Sequence, residues 1–133
     1  MKRSVTHVAD LFIYLAYFCP VKQRILLFDT ILDGHHPEYL IHLIGYYSGR
    51  SDVDVIIATG AAFQEEFAKR QSAEQLIWGK NIHFYPIPES FLYRGNIAYR
   101  SYKEWNLMLG IAAETQATQA LLMYVDYFPL GAI

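Results

Sequence analysis

Arg24 to Tyr47 reads RILLFDTILDGHHPEYLIHLIGYY, and the fold is decided there. Ile25 to Phe28 is continuously apolar, as expected of a parallel strand covered on both faces. Asp29 to His36 is a polar turn with Gly34 in it. Pro37 suits the first helical position, because its missing N–H has no intrahelical partner there anyway. The helix is expected to run to about Tyr47 and stop at Ser48-Gly49, with Leu40, Leu43, Ile44 and Tyr47 as its buried stripe. A buried strand that feeds a turn and then a helix start is a natural ligand site. First-turn N–H groups lack partners and the helix dipole favours negative charge.

The same alternation continues outward from this unit. Val53 to Ala58 is a second strand, rich in β-branched residues. Thr59-Gly60 leads into a helix from Ala61 to about Arg70, with Phe63 and Phe67 on one face. Ile82 to Tyr85 is a short third strand, expected to end at Pro86 and Pro88. A long segment, Ile87 to Ile97, precedes a third helix from Ala98 to Gln116. There Tyr102, Trp105, Leu109 and Ala112 have helical spacing and read as the inward face. Gly110 weakens that helix by about 1 kcal/mol relative to Ala. Ala120 to Val125 is the fourth strand, and Asp126-Tyr127-Phe128-Pro129 follows it.

Strand–helix–strand alternation implies an α/β fold: a Rossmann-like, three-layer, doubly wound parallel sheet. Right-handed crossovers favour strand order 3-2-1-4. Ligands in such sheets bind beyond the carboxyl ends of the strands at the switch point, here between strands one and four. The fourth strand, LLMYV, would then be an apolar edge without protecting charge or proline, a feature that promotes self-association. The chain therefore reads as residues 21–133 of an incomplete Rossmann-like domain, the first part of a larger doubly wound one.

Composition narrows the function. The 133 residues are 53% hydrophobic and 16% aromatic but only 18% charged, so apolar surface awaiting a partner or a further domain is expected. The net charge of -2 and the scattered Lys and Arg residues give no support for nucleic-acid binding. One cysteine, Cys19, excludes an internal disulfide and fits a cytoplasmic setting. Residues 1–20 have the outline of a signal peptide, Lys2 and Arg3 before an apolar run from Leu11 to Phe18. Asp10 at the start of that run, with Tyr17 and Phe18 at its end, spoils the cleavage site. The run is too short to span a bilayer. A helix packed on the domain, or an upstream extension, are the remaining readings.

The candidate site residues cluster at strand ends. His35 and His36 either contact a hydroxyl or phosphate or form a surface turn that caps the helix. Asp29 and Asp126 either act on a hydroxyl as base or acceptor, or hold their turns through loop N–H groups. Tyr93, Arg94 and Asn96 combine an aromatic face with hydrogen-bonding groups, as sugar recognition requires; otherwise their loop only covers the sheet edge. Thr30 joins the first turn as a binding candidate. No metal or cofactor is expected. A zinc reading from His35, Glu38 and His42 conflicts with Pro37, which puts His35 outside the helix.

RILLFDT with the DGHHPEYL turn, then VDVIIATG, then ALLMYVDYF, resembles the N-terminal domain of GT-B-fold glycosyltransferases, the retaining kind with a glycosyltransferase 4-like N-terminal domain. The resemblance covers about Arg24 to Phe128. Family members commonly carry a glycine pair in the first turn; here Gly34 stands with His35 and His36. The resemblance implies the acceptor-side half of an enzyme whose other domain grips the nucleotide-sugar donor. It makes Asp29, Thr30, Gly34, His35, His36, Tyr93, Arg94 and Asn96 binding candidates and His35, His36 and Asp126 catalytic candidates. The partners it implies are a nucleotide sugar, a sugar or lipid-linked acceptor, the donor-binding domain and a peripheral membrane contact. Two other function classes compete: a non-catalytic flavodoxin-like phosphate- or nucleotide-binding module, and an interaction domain acting through its apolar edge. A phosphorelay receiver fails, because Pro86-Ile87-Pro88 stands where its phosphoacceptor aspartate should be.

Overall fold

The computed structural model describes residues 22–31, 34–74, 77–88 and 96–123. They form four parallel strands and three helices: β1 (Gln23–Phe28), α1 (His36–Tyr47), β2 (Val53–Gly60), α2 (Ala61–Glu74), β3 (Ile82–Ile87), α3 (Ile97–Thr115) and β4 (Gln119–Leu122). The sheet order is β3-β2-β1-β4, as the alternation predicts. β1 pairs with β2 from Gln23 beside Val53 to Phe28 beside Ala58, and with β4 from Ile25 beside Gln119 to Phe28 beside Leu122.

Two cores follow from the pleat, since successive strand residues point to opposite faces. On one face Ile25 and Leu27 of β1 and Val53, Val55 and Ile57 of β2 meet Leu40 and Ile44 of α1 and Phe63 and Phe67 of α2. On the other, Leu26, Phe28, Ile56, Ala58 and Ile87 meet Met108 and Ile111 of α3. Helices therefore cover both faces, and the crossover from β3 through α3 returns the chain to β4 beside β1. Each fully buried aliphatic side chain, such as Leu26 or Leu27, contributes roughly 1.5–3 kcal/mol.

Several expectations need correction. α1 starts at His36, one residue before Pro37. β3 continues through Pro86 to Ile87, with Pro86 beside Thr59. β3 is an edge strand, and an edge tolerates proline where the missing N–H would face away from the neighbour. α2 extends to Glu74, past Arg70. The largest correction concerns α3, whose buried residues are Ser101, Glu104, Met108 and Ile111. Tyr102 and Leu109 are 58% and 48% exposed, while Trp105 and Ala112 pack against the second core. The inward face is turned by about one residue because two polar side chains are satisfied inside. Ser101 Oγ donates to Ile97 O at 2.9 Å, and the Glu104 carboxylate accepts from two donors described below.

β4 starts one residue early, at Gln119; residues beyond Met123 lie outside the described set, as do 1–21. Thr118 ties its start to β1, its N–H donating to Arg24 O at 2.8 Å. Among the described residues, no helix is long and apolar enough to cross a membrane.

Candidate functional site

β1 ends in two buried polar residues, Asp29 and Thr30, and each is engaged on a different face of the sheet. The Asp29 carboxylate accepts from the N–H of Ile31 at 2.9 Å through Oδ1, closing a tight local turn. Its Oδ2 lies 2.9 Å from Nδ1 of His36, the first residue of α1. The Asp29 side chain is 1% exposed and that of His36 is 16% exposed. Because a carboxylate only accepts, the Nδ1 that faces it carries a proton.

Thr30 points the other way. Its hydroxyl donates to Glu104 Oε1 of α3 at 2.8 Å, and Arg100 Nε donates to the same oxygen at 3.0 Å. Burial pushes the Asp29 carboxyl above its usual range, and the Glu104 charge adds to the rise; the Ile31 N–H and His36 oppose it. Two carboxylates thus share the carboxyl end of β1, and the protein holds Asp29 there against an unfavourable environment. Perturbed carboxyls of this kind cluster at functional sites.

Next to Asp29, at the end of β2, stands Thr59. It is fully buried, and its Oγ1 has no hydrogen-bond partner among the described residues. Asp29 N–H donates to Ala58 O at 3.1 Å, so the two strand ends are stitched together at this point.

The other residues singled out by sequence are distributed as follows. Gly34 is exposed with φ of 65°, a left-handed turn conformation that favours glycine. His35 precedes α1, is 83% exposed in its side chain, and bonds Glu38 Oε2 through Nδ1 at 3.1 Å. Asn96 caps α3, its Oδ1 accepting from Tyr99 N at 2.9 Å. Tyr93, Arg94 and Asp126 lie outside the described residues. Among the described residues, no group of three or more His, Cys, Asp or Glu side chains could hold a metal ion.

Sequence reasoning missed Glu104, Arg100 and Thr59. Arg100 and Glu104 have the i,i+4 spacing of a solvated helix pair, so nothing in that spacing points inward. Thr59 was legible only as a turn residue. Comparison with protein-family models, with curated proteins and with solved structures gives no match.

Proposed function

We propose that this chain is the acceptor-side portion of a glycosyltransferase, in which His36, oriented by Asp29, hydrogen-bonds an acceptor hydroxyl. The observation that carries this reading is the 2.9 Å Asp29–His36 contact at the carboxyl end of β1, beside the β1/β4 switch point. An imidazole held in one orientation by a buried carboxylate is an arrangement suited to hydrogen-bonding an acceptor hydroxyl. The resemblance in RILLFDT and DGHHPEYL supports the same reaction class. On this reading a second, donor-binding domain supplies the nucleotide-sugar contacts, and the acceptor is a sugar or a lipid-linked sugar met at a membrane surface.

The 133-residue chain alone then turns over no nucleotide sugar, and turnover by the purified chain overturns the reading. In an enzyme that includes the donor-binding domain, His36→Ala lowers kcat/KM at least tenfold, about 1.4 kcal/mol of transition-state stabilisation. His35→Ala, at an exposed position, has the smaller effect. Unchanged kinetics for His36→Ala remove the site. A second reading, a non-catalytic phosphate- or nucleotide-binding module, is favoured by the buried polar groups at the start of α2; binding without turnover in the larger protein selects it.

A further inference from the structure

The entry to α2 differs chemically from an ordinary helix start. In many helix entries the residue before the cap and the fourth helical residue are apolar and pack against each other. With Gly60 before the first helical residue Ala61, those two positions are Thr59 and Gln64. Both side chains are polar, and Thr59 Oγ1 and Gln64 Nε2 are both buried with no hydrogen-bond partner among the described residues. Strand alternation puts Thr59 on the same sheet face as Val55 and Ile57, the face on which α2 packs. The Cα–Cβ bond of a helical residue tilts toward the helix N-terminus, which for Gln64 is the end where Thr59 stands.

Gly60 has no side chain to cap the first-turn amides, and the first turn of α2 holds no acidic residue. The helix dipole is therefore uncompensated by charge from its own first turn. A hydroxyl and a carboxamide NH2 are both donors, and so are the backbone amides of a helix N-terminus. A buried donor left unpaired is destabilising by about 1–3 kcal/mol, so two at one helix entry are a feature that a ligand rich in acceptors would satisfy.

We propose that the N-terminus of α2, with Thr59 and Gln64, is a binding subsite for a phosphate group. Phosphate oxygens accept only from donors here: the Thr59 hydroxyl, the Gln64 carboxamide and the amides of Ala61 and Ala62. Asp29, at the adjacent strand end, already accepts from Ile31 N–H and His36, which offset its charge. The subsite rests on these two unpaired donors and on a first turn without acidic side chains. Its extension, that the natural ligand is a phosphorylated sugar whose hydroxyl reaches His36, rests on the glycosyl-transfer reading.

The test is an amide NMR titration of the full chain with inorganic phosphate, then glucose 1-phosphate, then glucose. Saturable shifts at Gly60, Ala61 and Ala62 with inorganic phosphate are expected in the millimolar range. Thr59→Val, which keeps shape and loses the hydroxyl, should weaken that binding about tenfold while the protein stays folded. Gln64→Leu provides a second, independent loss. No saturable shift at these amides, an unchanged affinity in both variants, or shifts confined to Lys22, Arg50 and Lys80 at the far end of the sheet would overturn the proposal. Tighter binding of glucose 1-phosphate than of inorganic phosphate, with shifts reaching His36, supports the sugar extension. Equal affinities keep the phosphate subsite and remove the extension.

Discussion

The two ends of the parallel sheet are both polar and both partly buried, yet Asn81 at one end and Thr59 at the other meet that problem in opposite ways. At the amino end, Asn81 is 7% exposed and both polar groups of its side chain are used. Its Nδ2 donates to Tyr47 O at 2.8 Å and Val53 O at 3.0 Å, and its Oδ1 accepts from Gly49 N at 2.9 Å. Gly79 N donates to Ser48 Oγ at 2.6 Å. The backbones approach so closely that a Cβ on Gly79 would lie 2.2 Å from Gly49 N. Asp54 accepts from Lys22 at 2.6 Å, which holds its carboxyl below the usual range. At the carboxyl end, Asp29 is held above its usual range and Thr59 is orphaned. The contrast teaches that burial of polar groups is not itself a functional signal. A satisfied network staples two loops together, whereas an unpaired buried group, Thr59 Oγ1 at one end or Trp78 Nε1 beside Gly79 at the other, costs stability.

The sharpest way to break this comparison is Asn81→Ala. It leaves the buried Val53 O without that donor and removes the bonds to Tyr47 O and Gly49 N, and a loss of roughly 1–3 kcal/mol in urea unfolding is expected. A loss of less than about 1 kcal/mol would show that the amino end is not held by this network. At the other end the sign reverses. Thr59→Val replaces an unpaired buried hydroxyl with a methyl group, so the protein without ligand should gain about 1 kcal/mol in the same measurement. Destabilisation by Thr59→Val would show that the hydroxyl has a partner and that the two ends do not differ.

A subtler effect appears in the pH dependence. A carboxyl whose folded-state pKa lies above its unfolded value holds its proton more tightly in the fold. Its contribution favours folding below the ordinary value of 3.8 and is lost as pH rises through the raised value. Stability of the native chain, followed by urea unfolding from acid toward neutral pH, should therefore fall relative to Asp29→Asn across that window. Parallel curves would mean that Asp29 is not strained by its surroundings. Asp54 has the opposite sign: its lowered pKa contributes stability above 3.8 that is lost on acidification.

The smallest expected effect is at Arg50 and Asp52, an exposed pair at 2.7 Å beside the Asn81 network. Asp52→Ala should leave the urea midpoint unchanged within error, since exposed ion pairs contribute little. A clear shift would extend the staple to the surface charges and blur the line between the buried network and its rim.

Edge protection belongs to the same reasoning. Met123, which reads in sequence as an edge residue open to substitution, packs against the α1/α2 core, whereas Leu121 is 39% exposed. A lysine meant to protect the β4 edge belongs at Leu121.

The chain by itself determined the element types and the strand order. Apolar runs at Ile25–Phe28 and Val55–Ala58 read as strands covered on both faces, and Pro37 marks the first turn of α1, which starts one residue earlier at His36. With right-handed crossovers, alternating strands and helices then leave few sheet orders, and 3-2-1-4 is the one adopted. Tertiary structure decided which face of α3 turns inward and which polar residues meet. Apolar periodicity assigns polar side chains to the surface by default. Glu104 is nonetheless inside, because Thr30, separated from it by 74 positions, and Arg100 donate to its carboxylate. The Asp29–His36 pair, the orphaned Thr59 and the fully bonded Asn81 share that dependence. Whether a buried polar group is satisfied depends on atoms brought together by the fold, and no local spacing along the chain encodes them.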